Sequence, residues 1–474
     1  MKMETEFDPG SFRDPKGRVY THQGRIFRKI SQAGYHDFNQ VLETGFLQKL
    51  VSDKKLVAFE ILDKDIHGSD DSTAMVLEHP VIPYISYPYE WTFHLLKSAA
   101  VLQLKIAIES LDNGVFLSDA TAYNIQFIGT KPIFIDHLSF RPYSEGEFWS
   151  AHSQFCEQFL NPLLMRSKLG ICHNHWYRGS MDGVTSIDLN QMLPLHKKLS
   201  WNTFTQVYLQ AQFQNRSTVK NTGNKNLTSK SLPLQSLRNL LQGTLHWVKK
   251  LEPKDQKGSV WSNYTNTRTY TSNATETKLK QVESYIQRHN AESIIDFGCN
   301  TGEFSEVALK AGATRVIAYD FDHLSLDNTY HRANSSSLNI LPLYLDLTNP
   351  PPNQGWRQCE RLGMMQRTNT DGLLALALIH HLAIGKNIPL EQVTDWLTSL
   401  ATHGLIEFVP KSDAMVISLL QNREDIFPDY SLDNFRSILA GKATIVSETT
   451  IPNSDRVLFE FLADKQSTRS NNLK

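Results

Sequence analysis

The sequence predicts an α/β protein: a C-terminal parallel sheet with helices on both faces, preceded by an α+β N-terminal domain. Three observations predict it. From Thr275 to the end, short apolar strand patterns alternate with helical patterns, which is how βαβ units read. At 293–311 a strand, a glycine-bearing turn and a helix follow one another, the order that opens a ligand crevice at the carboxyl edge of a sheet. Finally, 474 residues exceed what one ordinary core organises, so two domains are expected.

Composition narrows the function classes. About 40% of residues are apolar and 20% charged, as in a soluble globular protein. The 48 basic residues nearly cancel the 49 acidic ones, so no overall charge points to nucleic acid or a membrane surface. Cys156, Cys172, Cys299 and Cys359 are scattered without CxxC spacing, which excludes a disulfide framework. The N-terminus lacks the apolar core of a signal peptide, and the longest apolar run, Leu373–Ile379, is far below the roughly 20 residues that span a bilayer. A cytoplasmic location is expected.

In the first part of the chain, Gly24–Ile30 reads as a strand after a turn and Asp37–Ser52 as an amphipathic helix. Val81–Tyr89, rich in proline and tyrosine, reads as an irregular connection. Trp91–Leu111 carries Leu95, Leu96, Ala99, Leu102 and Ile106 at helical spacing, which predicts a long helix. Gln214–Ser231 is polar and basic and reads as an exposed linker. Leu232–Lys250 reads as a helix and Trp261–Asn273 as a loop whose Trp261, Tyr264 and Tyr270 either form an aromatic lid or pack onto the sheet. The expected divisions are therefore an N-terminal domain at 1–212, a linker, helix and lid at 213–275, a sheet domain at 276–464 and a polar tail at 465–474.

In the sheet domain, a helix at Glu276–His289 leads into the strand Ser293–Phe297, which contains Asp296, and then Gly298-Cys299-Asn300-Thr301-Gly302 opens the helix Glu303–Ala311. Small residues suit a turn whose backbone approaches a ligand, and glycine or asparagine suits positive φ. A dinucleotide GxGxxG fingerprint would need glycine at 298, 300 and 303. Asn300 and Glu303 stand at two of these positions, and Glu303 would set a negative charge where a pyrophosphate sits. Further strands follow at Arg315–Tyr319, ending at Asp320, and at Ile340–Leu345, running into Asp346. Gly372–Ile379 reads as a buried strand closed by His380-His381. Pro389–Ala401 reads as a helix, Gly404–Val409 as a fifth strand containing Glu407, and Phe427–Leu439 as a turn with a short helix. Ala443–Ser447 and Arg456–Phe461 read as the last two strands.

The spacing of Asp296, Gly298 and Gly302 resembles motif I of class I S-adenosylmethionine-dependent methyltransferases, with Asn300 at the usual middle glycine. The resemblance covers about 190 residues and implies a Rossmann-like seven-stranded methyltransferase sheet with S-adenosylmethionine as cofactor. It implies a cofactor site at Asp296, Gly298, Cys299, Asn300, Gly302, Asp320, Asp346 and Leu347. Asp320 would accept from the ribose hydroxyls and Asp346 would meet the adenine amino group, with Leu347 beside the ring. Asp320 as a turn acid and Asp346 as a helix N-cap remain open. The strand ended by His380 and His381 would face the sulfonium methyl group, so either histidine is a candidate general base or caps the strand.

In the N-terminal domain, Asp119, Asn124 and the Asp136 that ends IQFIGTKPIFID resemble the catalytic loop and metal-binding acid of protein-kinase-like phosphotransferases. Leu117 stands where that family has histidine, no glycine-rich loop precedes it, and Lys29 is a loose candidate for the ATP lysine. Cys172-His173-Asn174-His175 lacks a second cluster to complete a metal site, so no metal is expected.

The two-part layout resembles the group of methyltransferase-like proteins related to nodulation protein NoeA, on DATAYNIQF, PIFIDHLSF, DFGCNTG, ALALIHHL and IEFVP. It implies the cofactor and the reaction type, a methyltransferase, much more than the acceptor. A small-molecule or carbohydrate-like acceptor is the leading expectation, with no nucleic acid or membrane partner expected and the oligomeric state open. A phosphotransferase using Asp119, Asn124 and Asp136, or a non-catalytic protein that senses the cofactor, are the alternative functions.

Overall fold

A computed structural model of the chain describes residues 5–62, 70–198, 231–254, 272–421 and 423–463. The linker expected at Gln214–Ser231, the aromatic loop except its last residues and the polar tail lie outside the described residues, Ser231 apart. Two compact units are present: Met1–Gln256 with Asn353–Leu362, and Lys257–Pro352 with Gly363–Lys474.

The first unit opens on a five-stranded antiparallel sheet. Its strands are β1 (Glu6–Phe7), β2 (Gly17–His22), β3 (Arg25–Ser31), β4 (Glu60–Leu62) and β5 (Thr73–His79), in the order β1-β2-β3-β5-β4. Tyr20, Phe27 and Val76 bury one face of it, with Phe7 and Leu62 packed against them. The expected single helix at Asp37–Ser52 is two, α1 (Gln32–Glu43) and α2 (Phe46–Ser52). Gly45, at φ +72, breaks the run between them, because a left-handed residue ends one helix and turns the chain into the next. Helix α3 (Phe93–Asp112) is capped by the Thr92 side chain, which accepts from the Leu95 N–H, and it is buried along most of its length. The strands β6 (Val115–Leu117), β7 (Ile125–Ile128), β8 (Lys131–Phe134) and β9 (Phe140–Pro142) follow as two short antiparallel pairs, β6 with β9 and β7 with β8. Helix α4 (Leu234–Lys250) packs on α3 with Leu237, Leu241 and Val248 buried.

The second unit is a seven-stranded sheet. Its strands are β10 (Ser293–Phe297), β11 (Arg315–Asp320), β12 (Ile340–Tyr344), β13 (Gly372–Ala375), β14 (His403–Phe408), β15 (Ala443–Thr450) and β16 (Val457–Ala463). Their order is β12-β11-β10-β13-β14-β16-β15. Pairings from β12 through β14 are all parallel, and β16 runs antiparallel to both neighbours. This is the Rossmann-like seven-stranded sheet that the sequence predicts. Because successive side chains in a strand point to opposite faces, Ile294, Val316, Ile340, Leu374 and Leu405 share one core with the preceding helix α5 (Ser272–His289). On the other face, Phe297 stacks on Trp396 of helix α6 (Leu390–Leu400), and Phe408 stacks on Phe435 of helix α7 (Leu432–Ala440).

The expected strand Gly372–Ile379 is a correction. Only Gly372–Ala375 is strand; 376–378 form a turn, and the short helix Ile379–Ala383 contains both histidines. Apolar side chains can border a ligand cavity as readily as they fill a sheet, so the run of leucines does not mark where pairing stops.

Candidate functional site

The chain leaves β10 towards β11 and β12 on one side and returns to β13 and β14 on the other. In an open α/β sheet that reversal leaves a crevice at the carboxyl ends of the strands. A cavity of about 390 Å³ lies there, formed wholly by the second unit.

One wall is the turn after β10. Gly298 (φ +74), Asn300 (φ +50) and Gly302 (φ +76) are left-handed, and Gly298 and Asn300 border the cavity. A Cβ on Gly302 would lie 2.8 Å from Thr329 Cγ2, so both its φ and its surroundings require glycine. Cys299 is buried beneath the turn, and its N–H and that of Gly298 both donate to the Tyr319 carbonyl. Burial holds its thiol well above the ordinary cysteine range. Asp296 is buried behind the turn and does not border the cavity; it accepts from Ser305 Oγ at 2.6 Å. Burial lifts its carboxyl to about 7, against the opposing effect of the Ser305 hydroxyl.

Asp320 stands at the tip of β11 and borders the cavity. Its Oδ2 accepts from the Asn300 N–H at 2.9 Å and its Oδ1 from the Asp322 N–H at 2.8 Å. A carboxylate has about four lone-pair directions, so each oxygen can accept again. Burial pushes this carboxyl up to about 6, opposed by the two backbone N–H groups. At the end of β12, Tyr344 and the following Asp346 and Leu347 form the next wall. Asp346 Oδ1 accepts from the Thr348 N–H at 2.9 Å and from its hydroxyl at 2.7 Å. The Tyr344 ring stacks on His323, with centroids 4.6 Å apart.

The far wall is the turn after β13, Leu376, Ala377 and Leu378, followed by His381 and Lys386. The two histidines are separated here. His381 borders the cavity, whereas His380 is fully buried and, among the described residues, neither of its ring nitrogens has a hydrogen-bond partner. Burial drives the His380 imidazole far below its ordinary range and lowers His381 to about 4. Both rings are therefore neutral at physiological pH.

Sequence reasoning missed Phe321, Ser325 and the turn 376–378 as cavity residues. Phe321 and Ser325 follow Asp320 closely, so the signal was available there. Nothing local announces that Ala377 is left-handed (φ +49), since alanine rarely is.

In the first unit, Asp119, Asn124 and Asp136 do come together. Asn124 Nδ2 reaches Asp119 Oδ2 at 3.1 Å and Asp136 Oδ2 at 3.4 Å. The Arg28 guanidinium, however, pairs with Asp136 Oδ1 at 2.6 Å, and Lys29 pairs with Asp70 instead. Arg28 thus supplies a positive charge beside the acid that would hold magnesium. Among the described residues no group of three or more His, Cys, Asp or Glu side chains that could hold a metal ion is gathered, there or at Cys172–His175. Among the described residues, no helix is long and apolar enough to cross a membrane.

Residues 271–359 match the family of FtsJ-like methyltransferases. Nodulation protein NoeA of Rhizobium meliloti (strain 1021) is 43% identical over 454 residues, 95% of each chain. Among solved structures, magnesium protoporphyrin IX methyltransferase from Synechocystis PCC 6803 with bound S-adenosylhomocysteine is 14% identical. That match has a TM-score of 0.30 and covers 54% of this chain and 95% of that one. N-methyltransferase NodS from Bradyrhizobium japonicum WM9 is 11% identical with a TM-score of 0.30, covering 41% and 98%.

Proposed function

The chain belongs to the family of nodulation protein NoeA, and from that premise we propose that this class I S-adenosylmethionine-dependent methyltransferase acts on a small-molecule or carbohydrate-like acceptor. The observation that carries the reading is the cavity itself: two strand-tip acids and a left-handed turn on one side, an apolar turn and a neutral histidine on the other. Its volume falls within the roughly 300–1,000 Å³ of small-ligand sites.

The donor set fits a sulfonium nucleoside. Asp320 would accept from both ribose hydroxyls while its other lone pairs keep the Asn300 and Asp322 N–H groups. Asp346 and Leu347 would hold and flank the adenine, and the backbone at Gly298–Asn300 would lie against the nucleoside. Asp296, Cys299 and Gly302 contribute by fixing the turn. When bound, S-adenosylmethionine supplies an activated methyl group. The protein then has to orient the acceptor and relieve it of a proton. His381 is the candidate for that proton, being neutral above about pH 4; His380, its ring centroid 4.1 Å away, backs it from within the core.

Two measurements test this reading. S-adenosylhomocysteine release should be stimulated by a small polar or saccharide fraction of a metabolite extract, and stimulation only by macromolecular fractions would contradict the acceptor assignment. The pH dependence of binding tests the ribose site. An ionised Asp320 accepts two hydrogen bonds, whereas the acid form offers fewer lone pairs and a misplaced proton. Affinity is therefore full above the carboxyl's pKa and lost as pH falls through about 6. At pH 5 about one-tenth of such a group is ionised, so S-adenosylhomocysteine should bind roughly tenfold more weakly there than at pH 8. Asp296 titrates near the same window, so Asp320→Asn is the comparison: the dependence should flatten in it. A slope retained in D320N would assign the effect elsewhere.

A further inference from the structure

Glu407 lies in the interior strand β14, fully buried among apolar neighbours, where a carboxylate must be compensated. Two cations do so. Lys278 Nζ of α5 meets Oε2 at 2.7 Å, and Arg456, just before β16, meets Oε1 at 3.2 Å. Arg456 is itself held by Asp413 through Nε at 2.7 Å and Nη2 at 2.9 Å. A core ion pair kept only for packing would end there. This one has a further partner: Oε2 also accepts the Ala377 N–H at 3.0 Å.

That N–H belongs to the cavity wall. Ala377 is the left-handed residue of the turn after β13, and it borders the cavity together with Leu376 and Leu378. A non-glycine residue at positive φ persists only where its surroundings hold it, and Glu407 is a buried, doubly anchored acceptor aimed at its amide. The same turn delivers the chain into the helix bearing His381.

We propose that Glu407 is a positioning residue: clamped between Lys278 and Arg456, it fixes the Leu376–Leu378 turn and with it the wall of the cavity opposite the glycine turn. This rests on the assignment of that cavity to S-adenosylmethionine. It places the control of cofactor binding partly in strand β14 and in the buried cations behind it, none of which borders the cavity.

The test uses the full-length protein and S-adenosylhomocysteine as probe, in calorimetric titration well below the melting temperature. Glu407→Asp keeps the charge and both cations but draws the oxygens back by one methylene; Glu407→Leu removes the acceptor. Glu460→Gln is the control, a buried carboxylate of the same sheet that pairs with Arg288 and His289. Binding should weaken at least fivefold in E407D and more in E407L. Backbone amide exchange in a peptide covering 375–382 should quicken in both variants. E460Q should lower the melting temperature while leaving affinity within twofold and exchange at 375–382 unchanged. Should E407L fail to fold, E407D carries the test. Wild-type affinity and wild-type exchange in E407D would overturn the clamp, as would an equal loss in E460Q. Absence of binding to the wild type would overturn the cofactor assignment as well, which distinguishes the two failures.

Discussion

Replacing Asp320 by alanine is expected to weaken S-adenosylhomocysteine binding on the order of a hundredfold, with the fold retained. The magnitude follows from what the carboxylate does in the proposed complex. Each hydrogen bond to a charged group contributes about 1.5–3 kcal/mol, two are assigned to the ribose, and water entering the truncated site offsets part of the loss. Alanine also leaves the Asn300 and Asp322 N–H groups without their acceptor, loosening the turn that should lie against the nucleoside. Asparagine, which keeps the shape and one acceptor oxygen, should fall between, at roughly tenfold. Calorimetric titration checks both variants, with thermal denaturation to show that each is folded. Unchanged affinity in D320A would remove the ribose assignment.

The largest effect on stability is expected from Arg456→Met. The Arg456 side chain is 2% exposed and Glu407 is 0% exposed, so the substitution strips one of two cations from a carboxylate that water cannot reach. Breaking a buried pair from one side typically costs 3–5 kcal/mol. Lys278 remains on Glu407 and Asp413 is partly solvated, so the lower end, about 3 kcal/mol, applies. In a domain of this size that corresponds to a fall of roughly 6–12 °C in melting temperature. Chemical denaturation of the second unit measures it directly. A loss below about 1 kcal/mol would show that Glu407 does not depend on Arg456.

What was legible in the sequence is what is written locally. Strand β10, its glycine turn and the next helix lie within about twenty residues, and each is demanded by its own residues: a short apolar run, then φ values that Gly298, Asn300 and Gly302 accept. Asp320 was legible because one helix and one strand separate it from that turn. The end of β13 at Ala375 was not legible, because apolar patterning continues past it; at Gly45 the helical spacing of apolar residues runs on across the glycine whose left-handed φ ends the first helix. The buried network was harder still. Lys278, Glu407 and Arg456 come from three distant parts of the chain, and a glutamate inside an apolar strand does not announce which cations will meet it. The division of labour between His380 and His381 was likewise hidden. Both follow the predicted strand as its closing pair, with nothing to tell them apart, but in the short helix one is buried in the core and the other borders the cavity.

A crystal structure of the protein grown with S-adenosylhomocysteine tests the central assignment most directly. The account predicts the nucleoside in the crevice between the Gly298–Asn300 backbone and Leu347, both ribose hydroxyls within hydrogen-bond distance of Asp320, and the sulfur towards the Leu376–Leu378 turn. A nucleoside bound elsewhere, or one whose ribose lies beyond about 3.5 Å from Asp320, would contradict it.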